Sequence, residues 1–262
     1  MSALEYSLTH LAATVAALLD LPAPALARAE PLTEIVADLG HVPAVAIIAP
    51  DALGLYPLQL WSHELPTLSS WHEQRSLVLR AVMPTITPVN FATMITGVEQ
   101  TGHGIQTFKD SFECETLFDV VRAHGGQSAG VGRQGYTGSE LLGRHADLWG
   151  TAENKSDEEV ECLTLTFARE SRPQFMIVQF GATDDIFHQY GPTSSDVVPT
   201  LRELDARLGR VVGELRRLGY GVIVTADHGQ HDKTEGPGGT HGTPADEDAL
   251  VPCTWLEPLA GG

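Results

Sequence analysis

The chain has 262 residues, enough for one large α/β domain with its own core. Its formal net charge of -18 excludes nucleic acid and anionic membrane surfaces as main partners. Any phosphate site on so acidic a chain needs a local positive charge, and bound metal ions are the obvious source.

Cys114, Cys162 and Cys253 are odd in number and far apart, which fits a reducing cytoplasm rather than a disulfide framework. The first residues carry no positive lead before an apolar stretch, and no window reaches the length of a membrane span. A soluble cytoplasmic protein is expected.

Residues 4–19 carry apolar positions at helical spacing and are followed by Ala-Pro-rich sequence, which predicts a helical lead-in over 1–40. The continuous apolar run at 42–49 predicts a parallel strand buried on both faces and puts Asp51 at its C-terminal edge, where open α/β sheets bind ligands. Residues 77–82 predict a second buried strand. It leads into 83–97, where Pro88 suits the first turn of a short helix and Gly97 its end. Thr87 then sits at a strand-to-helix turn, where free N–H groups and the helix dipole favour an anion and a hydroxyl is placed to attack phosphorus. A plain N-cap threonine is the competing reading of Thr87 taken alone.

Residues 102–110 have loop composition, and 116–124 predict a helix closed by Gly125-Gly126. The glycine-rich stretch 127–150, with Arg133 and Arg144, predicts short strands, loops and substrate contacts. A helix over 156–170 and a buried strand over 174–181 come next. A segment with Asp184 and His188 follows, then a long amphipathic helix over 195–218. The strand at 220–226 ends in Asp227-His228-Gly229, a glycine-rich loop carries His241, and 251–256 predict a last strand. Strand-helix alternation of this kind predicts a three-layer α/β/α sandwich around a mostly parallel sheet, formed by residues 41–262.

Several strand ends thus deliver Asp or His to one edge of one sheet. Each has an ordinary reading alone: Asp51 as a helix cap, Asp184 and His188 as a surface pair, Asp227 and His228 as a turn. Together they are oxygen and nitrogen donors of the kind zinc takes when no thiolate is present. Asp51, Asp184, His188, Asp227, His228 and His241 are too many for one tetrahedral ion and suit two, which at roughly 4 Å apart clamp an in-line displacement.

The order of these residues resembles the alkaline phosphatase superfamily, and most closely its type I phosphodiesterase/nucleotide pyrophosphatase branch and phosphonoacetate hydrolase. Pro84-Thr85-Ile86-Thr87, Asn90 and Thr96-Gly97 match the nucleophile segment, and His103-Gly104-Ile105 the segment after it. Thr183-Asp184, His188 and Tyr190-Gly191-Pro192 match the second metal segment, within a likeness that runs from about residue 42 to 255. The resemblance implies an alkaline phosphatase-like fold with a reduced or absent cap. It implies one zinc ion on Asp184, His188 and His241, and another on Asp51, Asp227 and His228 with the Thr87 hydroxyl; manganese is the substitute metal. The implied activity is cleavage of phosphate mono- or diesters through a phosphothreonine at Thr87. The alternatives are C–P bond hydrolysis of a small phosphonate, or a degenerate member that binds metal or nucleotide without turnover.

Three departures stand out. Gln106-Thr107-Phe108-Lys109 replaces the stretch where the branch carries a phosphate-contacting Asn. Asn90 and Lys109 are accordingly the expected substrate contacts. The chain is short for the branch, and Asp51-Ala52 replaces the commoner Asp-Gly.

Overall fold

The computed structural model describes residues 6–259; Leu4 and Glu5 of the expected lead-in helix lie outside them. Among the described residues nine strands are formed: β1 (Ala44–Pro50), β2 (Ser76–Arg80), β3 (Ser128–Arg133), β4 (Leu148–Ala152), β5 (Phe175–Phe180), β6 (Tyr220–Thr225), β7 (His231–Asp232), β8 (Gly239–Thr240) and β9 (Leu250–Leu256). Seven of them make one sheet in the order β2-β9-β6-β1-β5-β3-β4, and β7 and β8 pair in a separate ribbon.

The continuous apolar runs become the central strands. β3, β5 and β6 are buried at every residue, as is β1 after its first. Strands covered on both faces gain nothing from alternation, so they read as unbroken runs. β1 lies between β5 and β6 and is parallel to both. β3 is parallel to β5 and to β4. Only β9 runs the other way, antiparallel to β6 on one side and to β2 on the other. β2 therefore points in the same direction as β1, and its exit arrives at the same sheet edge as Asp51.

The second strand differs from expectation. It is an edge strand with Val78 41 % exposed and Leu79 fully buried. At the margin of the sheet one face meets the core and the other meets water.

Helices cover both faces, giving the three layers. Helices Pro66–Gln74, Asp157–Glu170 and Val198–Arg217 pack on one another, and His10–Leu18, Thr33–Leu39, Thr87–Thr96 and Leu117–Ala123 form the other layer. Val198–Arg217 buries Leu201, Leu204, Leu208, Val211 and Leu215, an i, i+3, i+4 stripe that faces the core. The lead-in belongs to the same core: Leu8, Leu11 and Val15 are fully buried, and His10–Leu18 lies against the Thr87–Thr96 helix. Gly97 closes that helix at φ +73°, and a Cβ there would stand 2.6 Å from the Ala27 Cβ. Both the left-handed turn and the close approach require glycine.

Candidate metal centre and nucleophile

Topology places the chemistry. Asp51 follows β1, Asp227 and His228 follow β6, and Asp184 lies in the first turn of helix Ala182–Tyr190 after β5. These three strands are neighbours with a common direction, so their exits share one edge. His188 stands one turn after Asp184, and His241 arrives on the loop beyond β8. The six residues gather in two groups, Asp51 with Asp227 and His228, and Asp184 with His188 and His241. Within each group the donor atoms lie within 4.8 Å of one another.

Thr87 opens its helix as expected, with Ile86 as the extended N-cap and Pro in the first turn. Its Oγ1 stands 3.1 Å from His228 Nε2 and 3.4 Å from Asp51 Oδ1. Asn90 is fully buried behind this turn. Its Oδ1 accepts from Val82 N at 2.8 Å, and its amide nitrogen donates to the Val82, Pro84 and Ile86 carbonyls. The Asn90 side chain is thereby spent on the backbone that shapes the Thr87 turn. His103 is also fully buried, between the Ile105 N–H and the Thr93 hydroxyl, and burial pushes its imidazole down to about 4.

The histidines bear on whether these groups fit a cation. His228 Nδ1 lies 3.0 Å from Gly229 O, His241 Nδ1 2.8 Å from Thr85 O, and His188 Nδ1 3.3 Å from Gly239 O. A carbonyl only accepts, so His228 and His241 carry their proton on Nδ1 and present a bare Nε2 to the cluster, while His188 Nδ1 also meets the Gln230 amide nitrogen at 3.1 Å. His188 Nε2 and His241 Nε2 are 3.2 Å apart, and both approach Asp184 Oδ1, at 3.3 and 3.7 Å. Asp184 Oδ1 and His241 Nε2 are both acceptors and have nothing to share between themselves. Asp184 Oδ1 and Asp227 Oδ2 are in addition buried without a hydrogen-bond partner. Orphaned carboxylate oxygens beside bare imidazole nitrogens are what a divalent cation satisfies.

Electrostatics agree. Burial, reinforced by Asp227 and Asp184, pushes Asp51 well above the usual carboxyl range. Burial pushes Asp227 up to about 7. It pushes His228 and His241 down, which keeps them neutral and able to ligate. Burial acts upward most strongly on Asp184, but His188, His228 and His241 together outweigh it and hold the carboxyl below its usual value.

A cavity of about 340 Å³ opens beside Thr87, Asp51 and Asp184. Its wall includes Gln106, Thr107, Phe108, Tyr136 and Thr137. The Lys109 side chain is exposed and forms no part of that wall. The loop around it is shaped by Asp110, which accepts from Gln106 N and Thr107 N, and by Arg144, which donates to the Lys109 and Asp110 carbonyls. Arg133 is committed elsewhere, to Asp157 at 2.6 Å and Asp185 at 2.8 Å, and Tyr136 donates to Asp185 at 2.7 Å. Asp157 also accepts from Gly181 N and Ala182 N, fixing the start of the helix that carries Asp184.

Four supporting residues escaped the sequence reading. Gln179 is buried in β5 and donates to Asp51 Oδ2. Gln230 is fully buried with its amide nitrogen 3.1 Å from His188 Nδ1. Asp248 is fully buried; it meets His231 Nδ1 at 2.7 Å and accepts from Thr243 N and Oγ1. Asp157 is the fourth. A polar residue inside the apolar run 175–180 was the available signal for Gln179. The other three stand in polar stretches where nothing local marks them.

Comparison with known proteins finds relatives by sequence and by fold. The family described as type I phosphodiesterase / nucleotide pyrophosphatase matches residues 133–237. Human ectonucleotide pyrophosphatase/phosphodiesterase family member 1 is 23 % identical over 221 residues, covering 72 % of this chain and 24 % of its own length. The rat family member 3 is 26 % identical over 216 residues, covering 71 % and 25 %. The chain thus spans about a quarter of the length of these curated relatives. Among solved structures, phosphonoacetate hydrolase from Sinorhizobium meliloti 1021, in complex with phosphonoacetate, aligns with a TM-score of 0.56 and 20 % identity over 74 % of this chain and 58 % of that one. An inactive variant of murine ectonucleotide pyrophosphatase / phosphodiesterase 5, in complex with AMP, aligns with a TM-score of 0.59 and 18 % identity over 73 % and 58 %. Among the described residues, no helix is long and apolar enough to cross a membrane.

Proposed function

We propose that this chain, a relative of the type I phosphodiesterase/nucleotide pyrophosphatase branch of the alkaline phosphatase superfamily, is a two-zinc phosphoric ester hydrolase that works through a covalent intermediate on Thr87. The observation that carries this reading is the Thr87 hydroxyl, 3.1 Å from His228 Nε2, beside two groups of ligands in which Asp184 Oδ1 and Asp227 Oδ2 have no hydrogen-bond partner. Asp51, Asp227 and His228, with Thr87 Oγ1, would hold one ion; Asp184, His188 and His241 would hold the other. When bound, the two cations lower the hydroxyl's pKa and offset the charge that builds on the phosphoryl and leaving oxygens.

The rest follows from the chain. The start of the Thr87–Thr96 helix favours the phosphoryl anion. Thr87 Oγ1 gives up its proton to solvent and forms the new bond to phosphorus, while the ester oxygen leaves with the electrons of the broken P–O bond and takes up a proton from solvent. Water then attacks the phosphothreonine, releasing the phosphate product and returning the hydroxyl its proton. Asn90 keeps the nucleophile turn in place throughout. Phe108 and Tyr136, with Gln106 and the two threonines, give the cavity wall no lysine or arginine. That lining suits the organic arm of a diester better than the extra charge of a monoester.

The test uses the chain stripped with chelator and reloaded with zinc, supplied with bis(p-nitrophenyl) phosphate and p-nitrophenyl phosphate. About two ions per chain, faster diester turnover and an acid-quenched adduct on Thr87 by mass spectrometry are expected. Undiminished turnover by Thr87→Ala would sink the covalent route, and no turnover with zinc bound would leave a binding protein.

A further inference from the structure

We infer that two buried glutamines, Gln179 and Gln230, are positioning residues, each holding one ligand of one metal group and so setting the affinity of that site alone. The inference rests on the reading that both groups bind metal.

Gln179 stands inside the sheet, 1 % exposed, near the end of β5. Its amide cannot be turned round, because Oε1 accepts from Gly138 N while Nε2 donates to Asp51 Oδ2. The Gly138 turn fits closely: a Cβ on Gly138 would come within 2.6 Å of Val131 O and 2.8 Å of the Gln179 Cβ. Thr87 Oγ1 and His228 Nε2 both lie nearest the other oxygen, Asp51 Oδ1, at 3.4 and 3.6 Å. One Asp51 oxygen is thus held by the fold and the other is left for the site.

Gln230 does the same for the second group from the opposite side. It is fully buried, its amide end lies 3.1 Å from His188 Nδ1, and its carbonyl oxygen has no partner. An amide offers a donor and an acceptor at nearly the same point, so Gln230 can bond Nδ1 with or without its proton. Together with Gly239 O it fixes the ring so that Nε2 faces Asp184 and His241. Partners of this kind usually change metal affinity by about 10- to 100-fold when lost.

The two glutamines touch different groups, so their effects separate. Zinc is titrated calorimetrically into the stripped full chain, and Asp227→Ala and Asp184→Ala identify which binding step belongs to which group. Gln179→Leu should weaken the Asp227 step by about 10- to 100-fold and leave the Asp184 step within about threefold; Gln230→Leu should do the reverse. Circular dichroism and the melting temperature of the zinc-saturated protein establish that each variant is folded. Where a leucine variant is not, Gln179→Asn or Gln230→Asn, polar but one methylene shorter, should give the same selective loss. Equal weakening of both steps, or of neither, overturns the inference while leaving two-zinc binding intact. A wild-type chain that binds no zinc overturns the metal reading beneath it.

Discussion

The two ligand groups use the same residue types in opposite surroundings. Asp51, Asp227 and His228 are at most 1 % exposed, whereas the His188 side chain is 43 % exposed. In the inner group burial dominates and pushes both carboxyls up. In the outer group burial also acts on Asp184, but three histidines together lower the acid, and the Asp184 contact raises the His188 imidazole. The outer carboxyl has histidines on several sides, while the inner group sets two buried carboxyls beside one histidine. A cation stabilises the inner group most, and the outer group is the one that solvent and substrate reach first.

The largest expected effect comes from removing the hydroxyl that leans on the inner group. Thr87→Ala should lower kcat by at least about 10³-fold, as loss of a nucleophile does, with zinc content by elemental analysis unchanged. Loss of a bound ion together with the activity would make Thr87 a structural ligand instead.

Next in size is Asn90→Ala, which takes four hydrogen bonds from the turn that holds Thr87 beside the inner group. Buried backbone groups left unpaired cost about 1–3 kcal/mol, measurable by urea unfolding of the zinc-loaded chain. Unchanged stability would mean that the turn holds itself.

The contrast between the groups is sharpened by pH in the metal-free chain. Asp227 titrates at about 7 in the fold against an ordinary 3.8, so the fold favours its protonated form. That favourable contribution is complete below the ordinary value and is lost as pH rises through about 7. Asp184 is shifted the other way, so its contribution is present above the ordinary value and is lost as pH falls through the lowered one. The melting temperature of Asp227→Asn, relative to the unsubstituted chain, should therefore improve by a few degrees between about pH 5.5 and about pH 8. Asp184→Asn should show no such gain, and parallel curves for both variants would erase the distinction between the groups.

The smallest effect is expected at Lys109. Its side chain is exposed and outside the cavity wall, so Lys109→Ala should change kcat/KM by less than about threefold on either substrate, the size of a weak exposed charge effect. A selective loss on the monoester alone would bring Lys109 back to the phosphate.

Much of the outer logic was legible. Residues 42–49 and 174–181 announced central strands because a strand covered on both faces is apolar throughout, and their ends announced ligands because short polar residues follow. The helix at Thr87 was marked by Pro88 and Gly97, whose backbone preferences are local. β2 was misread as buried because its apolar side chains cannot say whether a neighbour lies on one side or two. Asn90 shows a similar limit. An amide near a hydroxyl of this kind reads equally as a substrate contact or as a brace, and only its partners distinguish them.

Sequence alone determined which residues can ligate and that they leave the sheet at strand ends, since residue chemistry and burial periodicity are written locally. Tertiary structure decided the rest. The antiparallel β9 lies between β2 and β6 and carries the Thr87 turn to the edge shared by β1 and β6. Thr87 thereby meets His228 across 141 residues of chain. The same pairing decided which ligand group is enclosed and which faces water, and which buried amide meets which ligand. Strand neighbourhood is set by the closest packing of the whole core, and no short stretch of sequence carries it.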